Sequence, residues 1–303
     1  MKRSEINSIV IGSNGYIGKN LSFFLKQSNI QNRDFDITEI SNHSWMNYSK
    51  LDITNKKDFH QIDSKVNVIF FMAGITGTED GFGSYENYFN VNVVGLINLL
   101  SYMNECGLKA KIIFPSTRLV YRGIKDMPLI EESKKTPNTI YALSKIVGEH
   151  TLDLYSRMFN IDFNIFRICV PYGNLINSDY SYGTIGFFLS KAMKKENINM
   201  YGDGELKRTF THVYDICNIL VESIIKPVEN KSVFNIGGDT LSLVNVAEKI
   251  AFKFSTELNY VKWPEISLKI ESGDTIFNSE KIDKELNNYS YKSFNTWISN
   301  LKI

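Results

Sequence analysis

Residues 8–11 form a short β-rich run, residues 12–18 a glycine-rich turn, and residues 19–28 carry Leu21, Phe24 and Leu25 at helical spacing. The chain therefore opens as strand, glycine turn and helix. Residues 66–72 (VNVIFFM) are almost continuously apolar, as a parallel strand covered on both faces must be. Residues 85–104 have helical periodicity, 111–115 form another apolar strand with 116–121 at its C-terminal end, 140–159 form a second long helix, and 163–170 a further strand. By contrast, residues 31–39, where a second strand belongs, are a poor strand by composition. Strands alternating with helices imply right-handed crossovers onto a parallel sheet.

After Val170 the rhythm changes. Residues 171–204 are rich in Gly, Asn, Ser and Tyr, with one helix near 185–194. Residues 210–225 turn helical in their latter part, 234–238 (FNIGG) form a short strand and turn, and 242–254 an amphipathic helix. The pattern predicts an α/β fold. A Rossmann-type doubly wound parallel sheet should cover residues 1–170, with a smaller C-terminal substrate-binding lobe over 171–303, some segments of which return to the large domain.

Composition narrows the partners. Apolar residues make up 43% and charged residues 22%, with a formal net charge of +1. Nucleic-acid and membrane partners usually demand a basic excess, which is missing. Cys106, Cys169 and Cys217 are widely spaced and match no metal-ligand spacing, so they read as small buried residues in a reducing compartment. His43, His60, His150 and His212 are scattered, and no His/Asp/Glu cluster suggests a metal. No apolar run reaches the ~18 residues that cross a bilayer, and the polar start has no signal-peptide core. The expectation is a cytoplasmic protein.

Gly12-Ser13-Asn14-Gly15-Tyr16-Ile17-Gly18 has the spacing G-x-x-G-x-x-G between a strand and a helix. Glycine lets the backbone turn sharply and approach a pyrophosphate, while the helix start offers unpaired N–H groups and a positive dipole end. Asp36 has the spacing of a ribose-binding acid, with Asp34 and Glu39 close by. Arg33 could instead serve a 2′-phosphate. NAD and NADP both stay open.

Tyr141-Ala-Leu-Ser-Lys145 places Tyr and Lys four apart, on one face of a helix. An ammonium near a phenol favours phenolate, which suits the tyrosine to exchange a proton with a sugar hydroxyl or carbonyl. Alone, the pair is common. The ordered set around it resembles an extended short-chain dehydrogenase/reductase of the NAD-dependent epimerase/dehydratase family, which acts on nucleotide sugars, and the resemblance runs from Ile9 to about Gly238. Residues 9–18 (IVIGSNGYIG) resemble the family's cofactor fingerprint. Asp52 with Ile53 resembles its adenine-contacting pair, and Ala73 with Gly74 the strand end along the dinucleotide. Asn92 resembles the asparagine that supports the catalytic lysine. Residues 114–121 (FPSTRLVY) make Thr117 the hydroxyl partner of Tyr141, with Ser116 beside it. Residues 167–173 (RICVPYG) resemble the segment that passes the nicotinamide at Val170 and the sugar, with Asn174 next in line. Gly202-Asp203-Gly204 followed by Arg208 resembles a signature whose arginine binds substrate phosphates, which suits a guanidinium fork.

The resemblance implies Thr117, Tyr141 and Lys145 as catalytic residues. Gly12, Asn14, Gly15, Tyr16, Ile17, Gly18, Asp36, Asp52, Ile53, Ala73, Gly74, Asn92, Lys145 and Val170 would hold NAD or NADP. Ser116, Arg118, Tyr141, Asn174 and Arg208 would meet a nucleotide-diphosphate sugar. Two departures matter. Sugar-dehydrating members carry Asp-Glu after the threonine, where this chain has Arg118 and Leu119, so 4,6-dehydration is not expected. The family's asparagine in the R-x-x-N segment is Val170. Arg118 reads either as a new substrate contact or as a surface charge. The resemblance thus implies hydride transfer at C4 of a nucleotide sugar. A 4-ketoreductase acting on a 4-keto-6-deoxy sugar is the leading reading, a 4-epimerase the alternative, and a non-enzymatic dinucleotide sensor the remote one. It further implies a homodimer through the two long helices and a setting such as lipopolysaccharide precursor synthesis.

Overall fold

The computed structural model describes residues 1–38, 47–177, 180 and 182–301. Glu39 and His43 lie outside the described residues. The apolar runs become the central strands: β1 (Asn7–Ile11), β2 (Gln31–Asp36), β3 (Tyr48–Lys50), β4 (Val68–Phe71) and β5 (Lys111–Thr117). After β6 (Pro128–Leu129) come β7 (Phe163–Ile168), β8 (Val170–Tyr172), β9 (Ile198–Tyr201), β10 (Lys207–His212), β11 (Ser232–Asn235) and β12 (Asp239–Ser242). The helices are α1 (Tyr16–Gln27), α2 (Tyr85–Phe89), α3 (Gly95–Cys106), α4 (Ile140–Phe159), α5 (Gly183–Met193), α6 (Val213–Ile225) and α7 (Leu243–Phe254).

The main sheet has seven strands in the order β11-β7-β5-β4-β1-β2-β3, and every pairing in it is parallel. Successive strand residues face opposite sides. Ile9 and Ile11 pack with Leu96, Leu99 and Leu152 of α3 and α4 on one face. Val10 packs with Leu21, Ile216 and Leu220 of α1 and α6 on the other. Strand order reverses between β1 and β4. In a doubly wound sheet such a switch point opens a crevice at the strands' C-terminal ends, where ligands bind.

Three expectations change. Residues 31–36 form a strand despite their composition, because β1 and β3 pair with them on both sides. The polar side chains find partners there: buried Asp34 accepts from Ser22 Oγ at 2.5 Å and Asn32 Nδ2 at 2.7 Å. Tertiary pairing overrides propensity here. The long helix expected over 85–104 is interrupted by a π-helical turn, Asn90–Val94, between α2 and α3. Cys106 is exposed, whereas Cys169 and Cys217 are buried.

The C-terminal lobe has its own apolar centre, made by Phe188 and Leu189 of α5, Val246 and Ile250 of α7, and Met200 and Phe210. It contains the three-stranded sheet β12-β10-β8 and two small pairs, β9 with β13 (Leu258–Val261) and β6 with β14 (Ile276–Phe277). The chain crosses between lobe and main sheet repeatedly, since β11 pairs with β7 and α6 packs on the face of α1.

Candidate active site

β1 ends at Ile11, and the glycine turn starts with Gly12 at φ +90°. The backbone N–H groups of Gly12 and Ser13 donate to Phe35 O at 2.8 and 3.0 Å, tying the turn to β2. A Cβ on Gly12 would lie 2.3 Å from Ala73 N, and one on Gly18 would lie 2.0 Å from Gly12 O. Only glycine permits this packing. α1 then begins at Tyr16, with the positive end of its dipole at the turn. Ser13 Oγ and Asn14 Oδ1 are buried with no hydrogen-bond partner. Asp36 ends β2, and its Oδ2 accepts from Asn14 N at 2.9 Å. Arg33 is committed elsewhere: it donates to Ser49 Oγ at 2.7 Å and Gln61 O at 3.2 Å, and its guanidinium lies 4.8 Å from the centre of the Phe35 ring. Asp52 Oδ1 accepts from Thr54 N at 2.9 Å and Thr54 Oγ1 at 2.7 Å. Gly12, Asn14, Gly15, Asp36, Asp52, Ile53, Ala73 and Gly74 line one cavity of about 630 Å³.

A second cavity of about 500 Å³ shares Gly15, Met72 and Gly74 with the first, so the two form one cleft along the switch point. Tyr16, Ile17, Gly18, Ser116, Thr117, Arg118, Tyr141, Lys145 and Val170 line it. Thr117 stands at the end of β5, where its Oγ1 caps the next turn by accepting from Leu119 N at 3.3 Å. Thr139 caps α4 in the same way, accepting from Ala142 N at 3.1 Å, and so puts Tyr141 and Lys145 on the first turns facing β5. The Thr117 hydroxyl and the Tyr141 phenol line the same cavity, and the hydroxyl favours the phenol's charged form.

Lys145 departs from the expected contact. Its ammonium donates to Pro115 O at 2.9 Å and lies 4.5 Å from the centre of the Phe114 ring. Burial holds its pKa down to about 8, partly offset by the Glu149 carboxylate one turn on. The Tyr141 phenol is raised by burial and then by neighbouring Tyr182, not depressed. Asn92 sits on the π turn. Its Nδ2 donates to Ser144 Oγ at 2.9 Å and Ile75 O at 3.0 Å, and its Oδ1 accepts from Ile75 N at 2.8 Å. The asparagine therefore anchors α4 beside Lys145 to the end of β4. π turns recur at functional positions because they re-aim one side chain out of helical phase.

Ser116 borders the cleft, but its hydroxyl points inward and donates to Glu149 Oε1 at 2.5 Å. Glu149 also holds Arg167, which donates from Nε at 2.9 Å and Nη2 at 2.6 Å. Asn174 is turned into its own loop, bonding Asn177 at 2.9 Å and Ile176 N at 3.0 Å, and is absent from the cleft walls. Arg118 is half-buried, and its Nη1 donates to Ser272 Oγ at 2.7 Å, which corrects the surface-charge reading. Arg208 is buried and pairs with Glu271 at 2.7 Å. His212 has a structural place: Nδ1 caps α6 by accepting from Tyr214 N at 3.1 Å, and burial pushes its pKa down to about 4.

Sequence reasoning missed Tyr182, and it named Cys169, which borders the cleft, only as a small buried residue. The Tyr182 ring stacks on Tyr16 at 4.2 Å and 4°, and it closes the lobe side of the cleft opposite Thr76. It lies in the Gly/Ser/Tyr-rich stretch, where no periodicity marks it. The role of Glu149 had a signal, because it follows Lys145 by four on the same helix face.

The family model for NAD dependent epimerase/dehydratase proteins matches residues 8–237. The chain belongs to this family. It is an enzyme of the group of NAD-dependent nucleotide-sugar epimerases, dehydratases and reductases. dTDP-4-dehydro-6-deoxyglucose reductase of Escherichia coli is 28% identical over 262 residues, 82% of this chain and 81% of that protein. UDP-glucuronate 4-epimerase of Thermodesulfobacterium geofontis is 25% identical over 288 residues, 88% and 87% of the two chains. The solved UDP-glucose 4-epimerase of Thermotoga maritima superposes with a TM-score of 0.86 at 19% identity, covering 97% of this chain and 96% of that one, and supports the fold. No helix among the described residues is long and apolar enough to cross a membrane.

Proposed function

We propose that the chain transfers a hydride at C4 of a nucleotide-diphosphate sugar, as a 4-ketoreductase acting on a 4-keto-6-deoxy sugar. One observation carries the hydride transfer, which both C4 reactions share. Thr117, Tyr141 and Lys145 converge in the cleft, and among the described residues no carboxylate or imidazole lines that half of it. The site can move a proton at one oxygen. It has no second base beside Thr117 to remove water across C5 and C6, since Arg118 and Leu119 stand there.

The glycine turn fits a dinucleotide, with glycines that exclude any Cβ, two buried orphan oxygens at Ser13 and Asn14, and the start of α1 facing an anion. Asp36 suits the hydroxyls of an adenosine ribose, and Arg33, committed to Ser49 and Gln61, is not free to meet a 2′-phosphate, which supports NAD over NADP. When bound, the nicotinamide supplies the hydride or accepts it. Tyr141 gives its proton to the C4 oxygen as the ketone becomes an alcohol, and Thr117 orients that oxygen. Lys145 provides the ammonium that holds a ribose hydroxyl and steadies the tyrosine's charge change. Exposed Leu154, Met158 and Phe159 on α4 suit pairing with a second copy.

The second reading, a 4-epimerase, uses the same three side chains. The acidic ribose site at Asp36 favours it, because retained NAD suits an enzyme that returns the hydride to the other face of the ketone. The test is to purify the chain without added cofactor, denature it and identify any dinucleotide by mass spectrometry. Stoichiometric NAD overturns the reductase in favour of the epimerase. An exchangeable site that oxidises a reduced dinucleotide with a 4-keto sugar nucleotide upholds it.

A further inference from the structure

Tyr16 belongs to both halves of the cleft. Its backbone opens α1, where the unpaired N–H groups of a helix start meet an anion. Its side chain leaves the glycine turn and reaches the chain that follows β8. The phenol donates to Gly173 O at 2.7 Å, and the ring stacks on Tyr182 with centres 4.2 Å apart and planes 4° apart. One turn on, buried Asn20 donates from Nδ2 to Tyr16 O at 2.8 Å, and its Oδ1 accepts from Leu175 N at 2.7 Å. The first two turns of α1 thus hold the lobe at Gly173, Leu175 and Tyr182.

Tyr182 stands immediately before α5 and lines the sugar half with Gly183, Thr184 and Tyr141. Its side chain is a wall of the cleft rather than a core residue. Among the described residues it joins none of the three apolar cores, whereas Tyr16 packs on the one that α1 and α6 cover. The ring is 39% exposed, so its place depends on the stack. A parallel aromatic pair contributes beyond the area it buries. Removing the Tyr182 ring therefore releases the start of α5 from the glycine turn and opens no cavity in a core.

We propose that Tyr182 is a positioning residue that makes substrate binding depend on an occupied dinucleotide site. An anion at the start of α1 steadies Tyr16, the Tyr16 ring steadies Tyr182 and the start of α5, and the Tyr182 ring then walls the sugar half beside Tyr141. The dinucleotide would bind first and the sugar nucleotide second, so that substrate meets a site already equipped for hydride transfer. Such coupling is reciprocal: each ligand must tighten the other by the same factor. The identity of the second ligand rests on the proposed function, while the tie between glycine turn and lobe rests on the contacts of Tyr16 and Asn20.

Hydrogen exchange read by mass spectrometry follows the full chain with and without saturating NAD, in the parent, Tyr182→Ala and Tyr182→Phe. Tyr182→Leu keeps apolar bulk without a stacking face and stands in if the alanine variant does not fold. In the parent, NAD should slow exchange at the start of α1 and, by at least about fivefold, at the start of α5. Tyr182→Ala should keep the first response and lose the second, and Tyr182→Phe should keep both. A merely structural role would speed exchange at α5 equally with and without NAD. Calorimetric titration with UDP-glucose and dTDP-glucose completes the test. Bound NAD should raise the affinity of whichever binds by about fivefold or more in the parent, and by less than about twofold in Tyr182→Ala. The proposal is overturned by exchange at α5 that ignores NAD in the parent, by a response that survives in Tyr182→Ala, or by a sugar-nucleotide affinity that NAD leaves within about twofold. If the parent binds neither sugar nucleotide while α5 still answers to NAD through Tyr182, the tie stands and the nucleotide-sugar reading fails.

Discussion

The two halves of the cleft are built by different means. The dinucleotide half comes from strand ends and the turns that follow them: Gly12 to Gly18 after β1, Asp36 at the end of β2, Ala73 and Gly74 after β4. Each piece is a short contiguous stretch, and the parallel sheet aligns the stretches. The sugar half joins residues far apart in the chain. Arg118 meets Ser272 across 154 positions, and Tyr182 reaches back to stack on Tyr16. The first half is held by backbone geometry and the second by side-chain pairs between lobe and sheet. The first should therefore tolerate few substitutions and bind one kind of ligand, while the second can vary its ligand by exchanging side chains.

The largest effect should come where the halves meet. Tyr141→Phe removes the proton donor yet leaves the glycine turn untouched. Turnover should fall by about 10²–10⁴-fold, with dinucleotide binding unchanged in a fluorescence titration. Turnover near the parent's level would sink the assignment of the acid/base and, with it, the division of labour between the halves.

Next comes the support beneath the junction. Glu149 and Arg167 pair at 2.6 Å with both side chains buried, and Glu149 also holds Ser116 beside the catalytic threonine. Glu149→Ala strands a buried guanidinium and should cost about 3–5 kcal/mol in urea unfolding. A cost below about 1 kcal/mol, the usual worth of an exposed pair, would show that water reaches the network and that the junction is softer than the packing implies.

These contrasts explain what could be read from the residues alone. β1, β4, β5, β7 and α4 were legible because burial on both sheet faces and a capped amphipathic helix leave local patterns. β2 was not, because its stability comes from neighbours: Asp34 finds Ser22 and Asn32 only once the chain has folded. The π turn was invisible to a 3.6-residue period, although Asn92 on it was found from the resemblance of its segment to the family. In the cleft, Thr117, Tyr141 and Lys145 fall within short motifs. Arg118 was legible as a residue but not as a half-buried one, because its bond to Ser272 reaches a loop with no motif.

A smaller effect should sharpen the cofactor half. Asp36→Ala removes the carboxylate that holds Asn14 N and would face a ribose hydroxyl. A lost hydrogen bond to a charged group is worth about 1.5–3 kcal/mol, so NAD should bind about 10- to 150-fold more weakly. NADP should lose less, because the carboxylate that repels a 2′-phosphate is gone. Equal losses for the two dinucleotides would remove Asp36 from the choice between them.

The subtlest test uses pH. The folded Lys145 has its pKa held down to about 8, against an ordinary value of 10.5, chiefly by burial. Between those values the folded chain binds fewer protons than the unfolded one. The penalty for burying the ammonium is therefore present in full below about pH 8, and it is relieved as pH rises toward 10.5, so this group makes stability increase across that window. Activity should move the other way. Losing the proton removes the charged donor beside Tyr141, and kcat/KM should decline a few-fold as pH passes through about 8 to 9. Urea unfolding and turnover measured at pH 7, 8 and 9, in the parent and in Lys145→Met, separate the two. The stability difference between the two proteins should shift in favour of the parent as pH rises, while the parent's activity falls. A pH-independent stability difference would mean that the ammonium is solvated after all, and the junction between the two halves would then be open to water.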